Sequence, residues 1–398
     1  MALRIRSARP GDLPQIYDVL NAAFDTPIEL FMAQTERDST CRWRHARVAE
    51  VDGRIVAHVR VFARTMLVRG APVRAGGIGS VATLPQHEGS GYATVLLYDA
   101  IQEMHRLGMV VAYLFTDRVS FYERVGFRVV EQPGFRVRPQ EAAATPVDGI
   151  YAIRPVEPDD VASLLRIYRT ATVGTSGAIV RTESIWRDAQ TWLGEDHAGC
   201  VVAERAGRPV AYLRARSRPD DYQILEGEHM PGHDPAIAPL LATAGRRAKA
   251  LRAPLVASVP GDHALATALR SLPSTTWSTG IDHVAHPMMM RVVSLDRLLD
   301  ALLPQIRDRA RTHRGEPFSL TLHAPDGEQA TLAVSGASVS IRRRNGAYAL
   351  DEAGTLAALL GQRRATKLVR PRPPADAARR IDSLFRQAPL HFWNSDRI

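Results

Sequence analysis

The stretch Val81-Ala-Thr-Leu-Pro-Gln-His-Glu-Gly-Ser-Gly-Tyr-Ala93 is the most informative part of this 398-residue chain. A β-like run from Ile78 to Thr83 leads into a turn in which Gln86, Gly89 and Gly91 have the spacing Q-x-x-G-x-G. Because glycines allow positive φ and close approach, the backbone N–H groups of such a turn can point into one concavity at a helix N-terminus. The turn therefore predicts a pyrophosphate site, built from backbone amides, in which the chain holds a cofactor.

The residues after the turn predict a helix, a buried strand and a second, short helix. Ser90 is the expected N-cap of the first helix, and an apolar stripe at three- and four-residue steps follows it, formed by Leu97, Ile101, Met104 and Leu107. Gly108 ends that helix, Met109 to Phe115 is an apolar run, and Phe121 to Val125 is a short helix closed by Gly126. This order indicates an α/β fold, although a bare G-x-G spacing also occurs in ordinary tight loops.

Two motifs in this region resemble those of the GNAT N-acetyltransferases. The family's usual patterns are R/Q-x-x-G-x-G/A and, one strand later, Y-x-x-x-G-F/Y; the turn and the run Phe121 to Phe127 match them in that order. The resemblance implies acetyl-CoA, or a related acyl-CoA, with its pyrophosphate over Gly89 to Thr94 and its pantetheine arm along Val81 to Thr83. His87 and Glu88 stand where many members carry basic residues, so backbone amides are expected to hold the phosphates.

The resemblance also implies a set of cofactor-binding residues on the strand, in the turn and after the next strand. They are Val81, Ala82, Thr83, Gly89, Ser90, Gly91, Tyr92, Ala93, Thr94, Asp117 and Arg118. Acetyl transfer from a thioester needs a proton for the leaving thiolate, which Tyr122 can supply; the alternative is a packing tyrosine on a short helix. A backbone N–H of the strand can face the oxyanion. Asp25 and Glu29 either attract a cationic amine or belong to a solvated helix end.

Composition and charge describe an ordinary globular chain of two or three domains. The formal charge of +9 comes almost entirely from arginine, with lysine only at Lys249 and Lys367, and no nucleic-acid-reading module accompanies it. We therefore expect no nucleic-acid partner. Two cysteines, Cys41 and Cys200, suggest a reducing compartment, and no signal peptide, membrane span or metal-ligand spacing is present, which favours the cytoplasm.

An internal repeat organises the first three quarters of the chain. Val48 to Arg60 returns as Val202 to Arg214, with eight of 13 positions identical at an offset of 154. Upstream, Ile5-Arg6, Pro10 and Asp12 return at an offset of 148 as Ile153-Arg154, Pro158 and Asp160. The second copy has no Q-x-x-G-x-G, since its stretch from Pro235 to Val259 holds a helix and an apolar strand only. We interpret it as a degenerate copy, joined to the first by a linker from Gln132 to Gly149.

The last hundred residues predict a separate α+β domain. An amphipathic helix to about Arg311 precedes alternating strands over Phe318–His323, Ala330–Val334, Ser338–Arg343 and Ala347–Leu350. Pro325-Asp-Gly327 is a turn, and Asn345-Gly346 is a strong hairpin signal between the last two strands. Helical segments follow from Gly354 and from Ala375.

The whole arrangement resembles the Eis (enhanced intracellular survival) acetyltransferases. The fold class is α/β and α+β: tandem GNAT domains at 1–135 (catalytic) and 150–290 (degenerate), then a sterol-carrier-like α+β domain at 291–398. The resemblance implies Tyr122 as general acid and the terminal carboxylate, here that of Ile398, as general base. It further implies amine substrates, including aminoglycosides, lysine side chains and peptide N-termini, and a homohexamer. The final residue is Ile rather than the Phe usual in the family.

Two alternatives stay open at this point. One is a peptide or protein N-acetyltransferase of the same chemistry, which an open, flat groove would favour over a deep acidic pocket. The other is a non-catalytic binding protein in which the change at His87 and Glu88 has abolished cofactor binding.

Overall fold

The computed structural model describes residues 3–147, 149–278, 286–312, 315–388 and 390–397. The chain divides into two compact units, each assembled from separate segments. The first unit contains Met1–Val130 and Met288–Ala388, and the second contains Glu131–Pro287 and Pro389–Arg397.

The strands are numbered along the chain. They are β1 (Leu3–Ser7), β2 (Ala46–Val51), β3 (Arg54–Val68), β4 (Ala71–Thr83), β5 (Val111–Phe115), β6 (Arg128–Val129), β7 (Gly134–Val137), β8 (Ala152–Pro155), β9 (Val201–Arg205), β10 (Arg208–Ser217), β11 (Tyr222–His229), β12 (Leu255–Ser258), β13 (Thr276–Ser278), β14 (Met288–Val292), β15 (Phe318–His323), β16 (Gln329–Ser335), β17 (Ser338–Arg342) and β18 (Tyr348–Leu350).

The α-helices are numbered in the same way. They are α1 (Leu13–Ala23), α2 (Ile28–Arg37), α3 (Tyr92–Arg106), α4 (Val119–Glu123), α5 (Pro139–Ala143), α6 (Val161–Ala171), α7 (Glu183–Leu193), α8 (Ile237–Ala250), α9 (Ala264–Arg270), α10 (Leu295–Thr312), α11 (Glu352–Leu360) and α12 (Ala375–Leu384).

The main sheet of the first unit has the order β1-β2-β3-β4-β5-β14-β6. Its pairs are antiparallel except β4 with β5, which is parallel. Helices α1 and α3 pack on this sheet. The predicted stripe of α3 is confirmed, because Leu97, Ile101 and Met104 are buried in the core and Leu107 packs against it.

The start of α3 differs from the prediction. The N-cap is Gly91, with φ of 80°, and no side chain caps the helix, so the assignment of Ser90 is wrong. The chain enters the helix in the left-handed conformation, which glycine adopts without strain. The preceding strand β4 begins at Ala71 rather than Ile78, because it pairs along its length with the long strand β3.

The sheet of the second unit has the order β13-β7-β12-β11-β10-β9-β8. Its strand β7 lies inside the segment from Gln132 to Gly149, which the sequence predicts as a linker. That prediction is wrong for residues 134–143, which form β7 and α5. Phe135 and Val137 alternate with exposed Arg136 and are fully buried, so they hold β7 between β12 and β13.

Each sheet also contains a strand from a distant part of the sequence. The sheet of the first unit includes a strand that follows the second repeat copy, and the sheet of the second unit includes a strand that follows the first copy. Strand β14 pairs with β5 and β6 in the first sheet, and β7 pairs with β12 and β13 in the second. The compact units are therefore discontinuous, whereas the boundaries expected from sequence at 135, 150 and 290 are contiguous.

The internal repeat is confirmed by matching ion pairs. Arg6 donates to both oxygens of Asp12 at 2.6 and 3.0 Å and to Glu50 at 2.8 Å. Arg154 donates to both oxygens of Asp160 at 2.6 and 2.8 Å and to Glu204 at 3.0 Å. In both copies the cluster ties the first strand to the start of the first helix and to the neighbouring strand, which is β2 in the first copy and β9 in the second. This explains why these residues recur.

A smaller sheet in the first unit has the order β17-β16-β15-β18 and packs with α10 and α11, which bears out the α+β prediction for this part of the chain. The hairpin predicted at Asn345-Gly346 is wrong, because β18 pairs in parallel with β15 and not with β17. Gly346 donates its N–H to Thr321 Oγ1 at 2.8 Å, and a Cβ there would stand 2.7 Å from the Ser319 backbone. Glycine is needed for this close approach to β15.

Candidate active site

The central feature of the first unit is a gap between two parallel strands. Strands β4 and β5 pair only from Ala75–Val111 to Gly77–Tyr113, although β4 continues to Thr83. The register of β4 against β3 shifts between His58 and Arg60, where Ser80 has φ of 52° and its carbonyl lies 2.9 Å from His58 Nδ1. The bulge turns the end of β4 away from β5. Residues Ile78 to Thr83 remain paired with β3, but within the described residues their other edge, on the side of β5, pairs with no strand. An extended ligand can hydrogen-bond to that edge.

The glycine turn follows this open edge directly. Residues Pro85–His87 form a short 3₁₀ turn, and Gly89 and Gly91 have φ of 77° and 80°. A Cβ at either glycine would meet no atom within 4 Å, so the positive φ and not crowding requires glycine here. The first helical amides, those of Tyr92 to Thr94, have no acceptor inside α3. They point out of a helix N-terminus and can bind an anion, as the sequence predicts.

Tyr122 lies on α4, with 8 % of its surface exposed. Its carbonyl accepts the N–H groups of Val125 and Phe127, both at 3.1 Å, and its hydroxyl has no partner among the described residues. Burial raises the pKa of Tyr122 to about 12, which keeps the phenol protonated near neutral pH. The side chain therefore holds a proton that a bound group can take.

The glycine of the Tyr-x-x-x-Gly motif fixes the position of α4. Gly126 has φ of 82°, and a Cβ there would stand 2.6 Å from Arg291 Nη1 and 2.8 Å from Pro325. The Arg291 guanidinium donates to the carbonyl of Val125 and pairs with Asp326. Tyr122 is thus held by a tight turn that packs against the segment after the second copy.

The structure brings some of the predicted residues together and leaves others apart. Tyr122 belongs to the apolar core of the first unit, and Val81 and Tyr92 pack against the same core. Asp117 and Arg118 are exposed in the connection between β5 and α4. Asp25 and Glu29 are exposed at the start of α2, as a solvated helix end would be. Ile398 lies outside the described residues.

A buried cation behind the site was missed by sequence reasoning. Arg60 on β3 donates to Thr35 Oγ1 at 2.8 Å and to the carbonyl of Gln34 at 2.7 Å, and lies 3.6 Å from Asp38. It ties the C-terminal turn of α2 to the strand that pairs with β4. An arginine within the apolar run Ile55 to Phe62 was the available signal, since charged side chains are rarely buried without partners.

The second unit has the same gap between strands, with a different local chemistry. Its parallel pairing runs only from Tyr222–Leu255 to Ile224–Ala257, while β11 continues to His229. The separated end of β11 carries two fully buried carboxylates, Glu226 and Glu228. The C-terminal tail, residues 390–397, packs on them.

Arg181 connects this strand to the tail. It donates to both oxygens of Glu226 at 2.8 and 2.7 Å and to both oxygens of Asp396 at 2.8 and 2.7 Å. Its third tail contact is Ser395 Oγ, at 3.0 Å. Burial alone would raise the pKa of Glu226, but Arg181 and Arg214 hold it below its ordinary value.

Glu228 holds the tail at a second point. Trp393 Nε1 donates to Glu228 Oε1 at 2.7 Å, and the His391 ring is hydrogen-bonded to the same oxygen. Trp393 is fully buried, and its ring contacts His263, the N-cap of α9, edge-on at 5.3 Å. Gln132 Nε2 bridges Ser258 Oγ, at the end of β12, and the carbonyl of Phe392. The tail therefore contacts β11 directly and is linked to the end of β12 through Gln132.

Comparison with known proteins assigns the first unit's chemistry. Residues 4–130 match the family model for a GNAT acetyltransferase domain. GNAT acetyltransferases use acetyl-CoA, so the chain is an acetyl-CoA-dependent acyltransferase with its glycine turn and open strand inside the matched domain.

Solved structures share the fold over the full length of the chain. The GCN5-related N-acetyltransferase from Kribbella flavida has a TM-score of 0.73 at 16 % identity, covering 100 % of this chain and 98 % of its own. The GCN5-related N-acetyltransferase from Anabaena variabilis has 0.73 at 15 %, and Eis1 from Mycobacterium abscessus has 0.68 at 18 %, both covering 100 % of each chain. At these identities the similarity concerns the fold. No curated protein matches the chain in sequence.

In the described part of the chain, no helix has the length and hydropathy of a membrane-spanning segment. Among the same residues, no group of three or more His, Cys, Asp and Glu side chains is arranged to hold a metal ion.

Proposed function

We propose that the chain is an Eis-type N-acetyltransferase, which moves an acetyl group from acetyl-CoA to an amine, with Tyr122 as general acid and the carboxylate of Ile398 as general base. The observation that carries the proposal is the combination, in one unit, of an open strand edge, a glycine turn with free helical amides and a protonated, unpartnered phenol. The full-length similarity to Eis1 supports the family, and the buried tail supports a role for the chain end.

In this proposal the cofactor binds mainly to backbone groups. Val81, Ala82 and Thr83 would pair with the pantetheine arm, and Gly89 to Thr94 would hold the pyrophosphate without a basic side chain. Asp117 and Arg118, at the exposed end of β5, would meet the more solvated part of the cofactor. Because no side-chain hydrogen bond from His87 or Glu88 holds the turn among the described residues, the change at these two positions leaves the backbone amides available. This argues against a non-catalytic protein.

The reaction needs two proton movements. The neutral amine nitrogen attacks the thioester carbonyl, and the oxyanion is stabilised by a backbone N–H of the β4 edge. When the carbon–sulfur bond breaks, the thiolate of CoA takes the proton of Tyr122, and the proton lost by the amine nitrogen passes to the base, directly or through water. An α-carboxylate, with an ordinary pKa of about 3.3–3.7, is ionised near neutral pH and can accept it.

The substrate class we propose is a cationic amine, either an aminoglycoside-like polyamine or a lysine side chain. Peptide N-termini are acetylated by the same chemistry and form the alternative class. Acetylation of an amine panel, followed by detection of the free thiol of CoA, separates these classes. Transfer to peptides alone would move the assignment to a peptide N-acetyltransferase.

The role of the chain end is tested by moving the carboxylate while every natural residue is kept. We expect a single glycine added after Ile398 to lower kcat and to leave acetyl-CoA binding unchanged, because the base is displaced and the cofactor site is intact. Ile398→Val, which keeps the terminal carboxylate, is the matched control and should retain most activity. Wild-type kcat in the extended protein would exclude the carboxylate and leave Asp25 or Glu29 as candidate bases.

We also propose a homohexamer, by analogy with the Eis family, in the reducing environment that two free cysteines suit. Light scattering after size-exclusion chromatography tests the assembly. A monomer at working concentration would contradict it.

A further inference from the structure

The geometry points to Arg181 and Asp396 as a positioning pair that fixes the chain end for acetyl transfer. This inference rests on the proposed function, which assigns the general base to the carboxylate of Ile398. Neither residue of the pair is proposed to touch substrate or cofactor. Both act by holding the tail in one register.

The pair is the last ion pair of the described tail, and after it Arg397 adds one hydrogen bond, from Nη2 to the carbonyl of His286 at 3.4 Å. Leu390, His391 and Trp393 are held further upstream, at Ser176 and at Glu228. Asp396 stands two residues before Ile398, and two residues of chain span at most about 7 Å. Fixing Asp396 therefore restricts where the terminal carboxylate can be, whereas anchors at 390–393 leave a longer free segment.

Arg181 is itself held on several sides. Its guanidinium binds Glu226 and Asp396 through both oxygens of each and lies 3.9 Å from the centroid of the Tyr168 ring. Two-oxygen contacts between arginine and carboxylate set orientation as well as distance. Arg181, Glu226 and Asp396 are all nearly inaccessible, so water does not loosen the contacts.

The burial of these charges favours a positioning role over simple anchoring. The tail already contains Leu390, Phe392 and Trp393, all buried, and apolar burial is enough to hold a segment against a core. A buried ion pair adds little to stability compared with well-packed apolar residues, because both charges are desolvated. What the pair adds here is a defined register two residues from the chain end.

The test uses Asp396→Asn in the full chain. The amide is close to the carboxylate in size and keeps an oxygen for Arg181, which stays paired with Glu226. We expect hydrogen exchange of the tail amides to quicken and kcat to fall by about 10²-fold, the loss typical of a misplaced reacting group. The Kd for acetyl-CoA should stay within twofold of wild type. Asp376→Asn, the same change at an exposed carboxylate on α12, is the control and should alter none of these.

A second variant allows the test to be made if the first does not fold. If Asp396→Asn does not give a cooperative thermal transition, Ser395→Ala removes one hydrogen bond to Arg181 without removing a charge. It should quicken tail exchange and lower kcat in the same direction by a smaller factor. Faster tail exchange with wild-type kcat, in whichever variant folds, would overturn the inference.

Combining the variant with the glycine extension separates this inference from the proposed function. If Asp396 acts only through the terminal carboxylate, Asp396→Asn should not lower the residual kcat of the extended protein further. An equal loss in both backgrounds would overturn the positioning role and leave the base assignment standing. An extension without effect on kcat would instead overturn the proposed function, and the inference with it, even where the tail exchanges faster.

Discussion

The two copies of the repeat share a scaffold and differ at the end of one strand. In the first copy, β3 pairs Arg60 with Gly79 and His58 with Ala82. In the second, the counterpart residues Arg214 and Tyr212 pair with Glu226 and Glu228. Where the first copy has small, uncharged residues followed by an open glycine turn, the second has two buried carboxylates that bind the chain's own tail.

This difference shows how a duplicated fold can keep a gap between strands and change what occupies it. In both copies the parallel pairing lasts for three residue pairs and then stops. The second copy has Gly232 in its turn but Ala236, in the right-handed helical conformation, at the N-cap of α8. It therefore lacks the second positive-φ residue that orients the turn of the first copy. The second copy binds the C-terminal tail at this gap, and we propose that the first copy binds the cofactor at the corresponding gap.

The largest expected effect tests whether chemistry belongs to the first copy alone. Helix α9 follows β12 as α4 follows β5, yet it contains no tyrosine. Tyr122→Phe should lower kcat by about 10²–10⁴-fold, because the proton donor is lost, with little change in acetyl-CoA affinity. Tyr113→Phe, the same change at a buried tyrosine on β5, should leave kcat near wild type. Equal activity of both variants would return Tyr122 to a packing role.

The next effect concerns what fills the second copy. Trp393→Ala removes a fully buried side chain and should lower the free energy of unfolding by about 3–5 kcal/mol. Trp43→Ala, at a tryptophan that is 38 % exposed, is the matched control and should change stability little. Calorimetry of the folded Trp393 variant should still find one acetyl-CoA per chain. A second acetyl-CoA site in this variant would mean that the tail alone prevents the cofactor from binding to the second copy.

A smaller effect distinguishes the two copies by the pH dependence of stability. Burial lowers the pKa of His58 to about 4, whereas its counterpart Tyr212 does not titrate in this range. Below about pH 6.5 the unfolded chain is protonated at His58, whereas the folded protein is protonated there only near pH 4. The free energy of unfolding therefore falls as the pH decreases from about 6.5 to about 4. The loss from His58 is about 3 kcal/mol.

Denaturant unfolding of wild type and His58→Gln between pH 4 and 7 measures this loss. The variant should show the shallower decline. His45, whose pKa is also lowered to about 4 by burial, contributes equally to both proteins and cancels in the comparison. Parallel curves for the two proteins would show that His58 is not the buried neutral group described here.

The smallest expected effect tests whether the glycine turn binds the phosphates of acetyl-CoA. Gly91→Val places a β-branched residue at φ of 80°, where strain and not a clash opposes it, because the space is open. Straining the first amides of α3 should weaken acetyl-CoA binding by about tenfold or more. Gly53→Val, at φ of 84° in the β2–β3 hairpin and equally open, carries the same strain away from the site. Equal affinity in the two variants would contradict a phosphate cradle at Gly91.

Sequence patterns predicted the local elements well and the long-range partners poorly. The stripe of α3, the repeat and the turn at Pro325-Asp-Gly327 follow from local periodicity and turn chemistry, and all are present. Strand β7 and the Asn345-Gly346 hairpin were misjudged, since each depends on which distant strand is available for pairing. The contacts of Glu226 and Glu228 with the tail were missed for the same reason, because their partners lie far away in the sequence.

Hydrogen exchange of the full chain, with and without acetyl-CoA, shows which of the two gaps binds the cofactor. We expect the cofactor to slow exchange across Val81 to Thr94 and to leave exchange in Leu225 to His229 and in the tail unchanged. Slower exchange in the second copy, or none in the glycine turn, would contradict the assignment of one gap to the cofactor and the other to the tail.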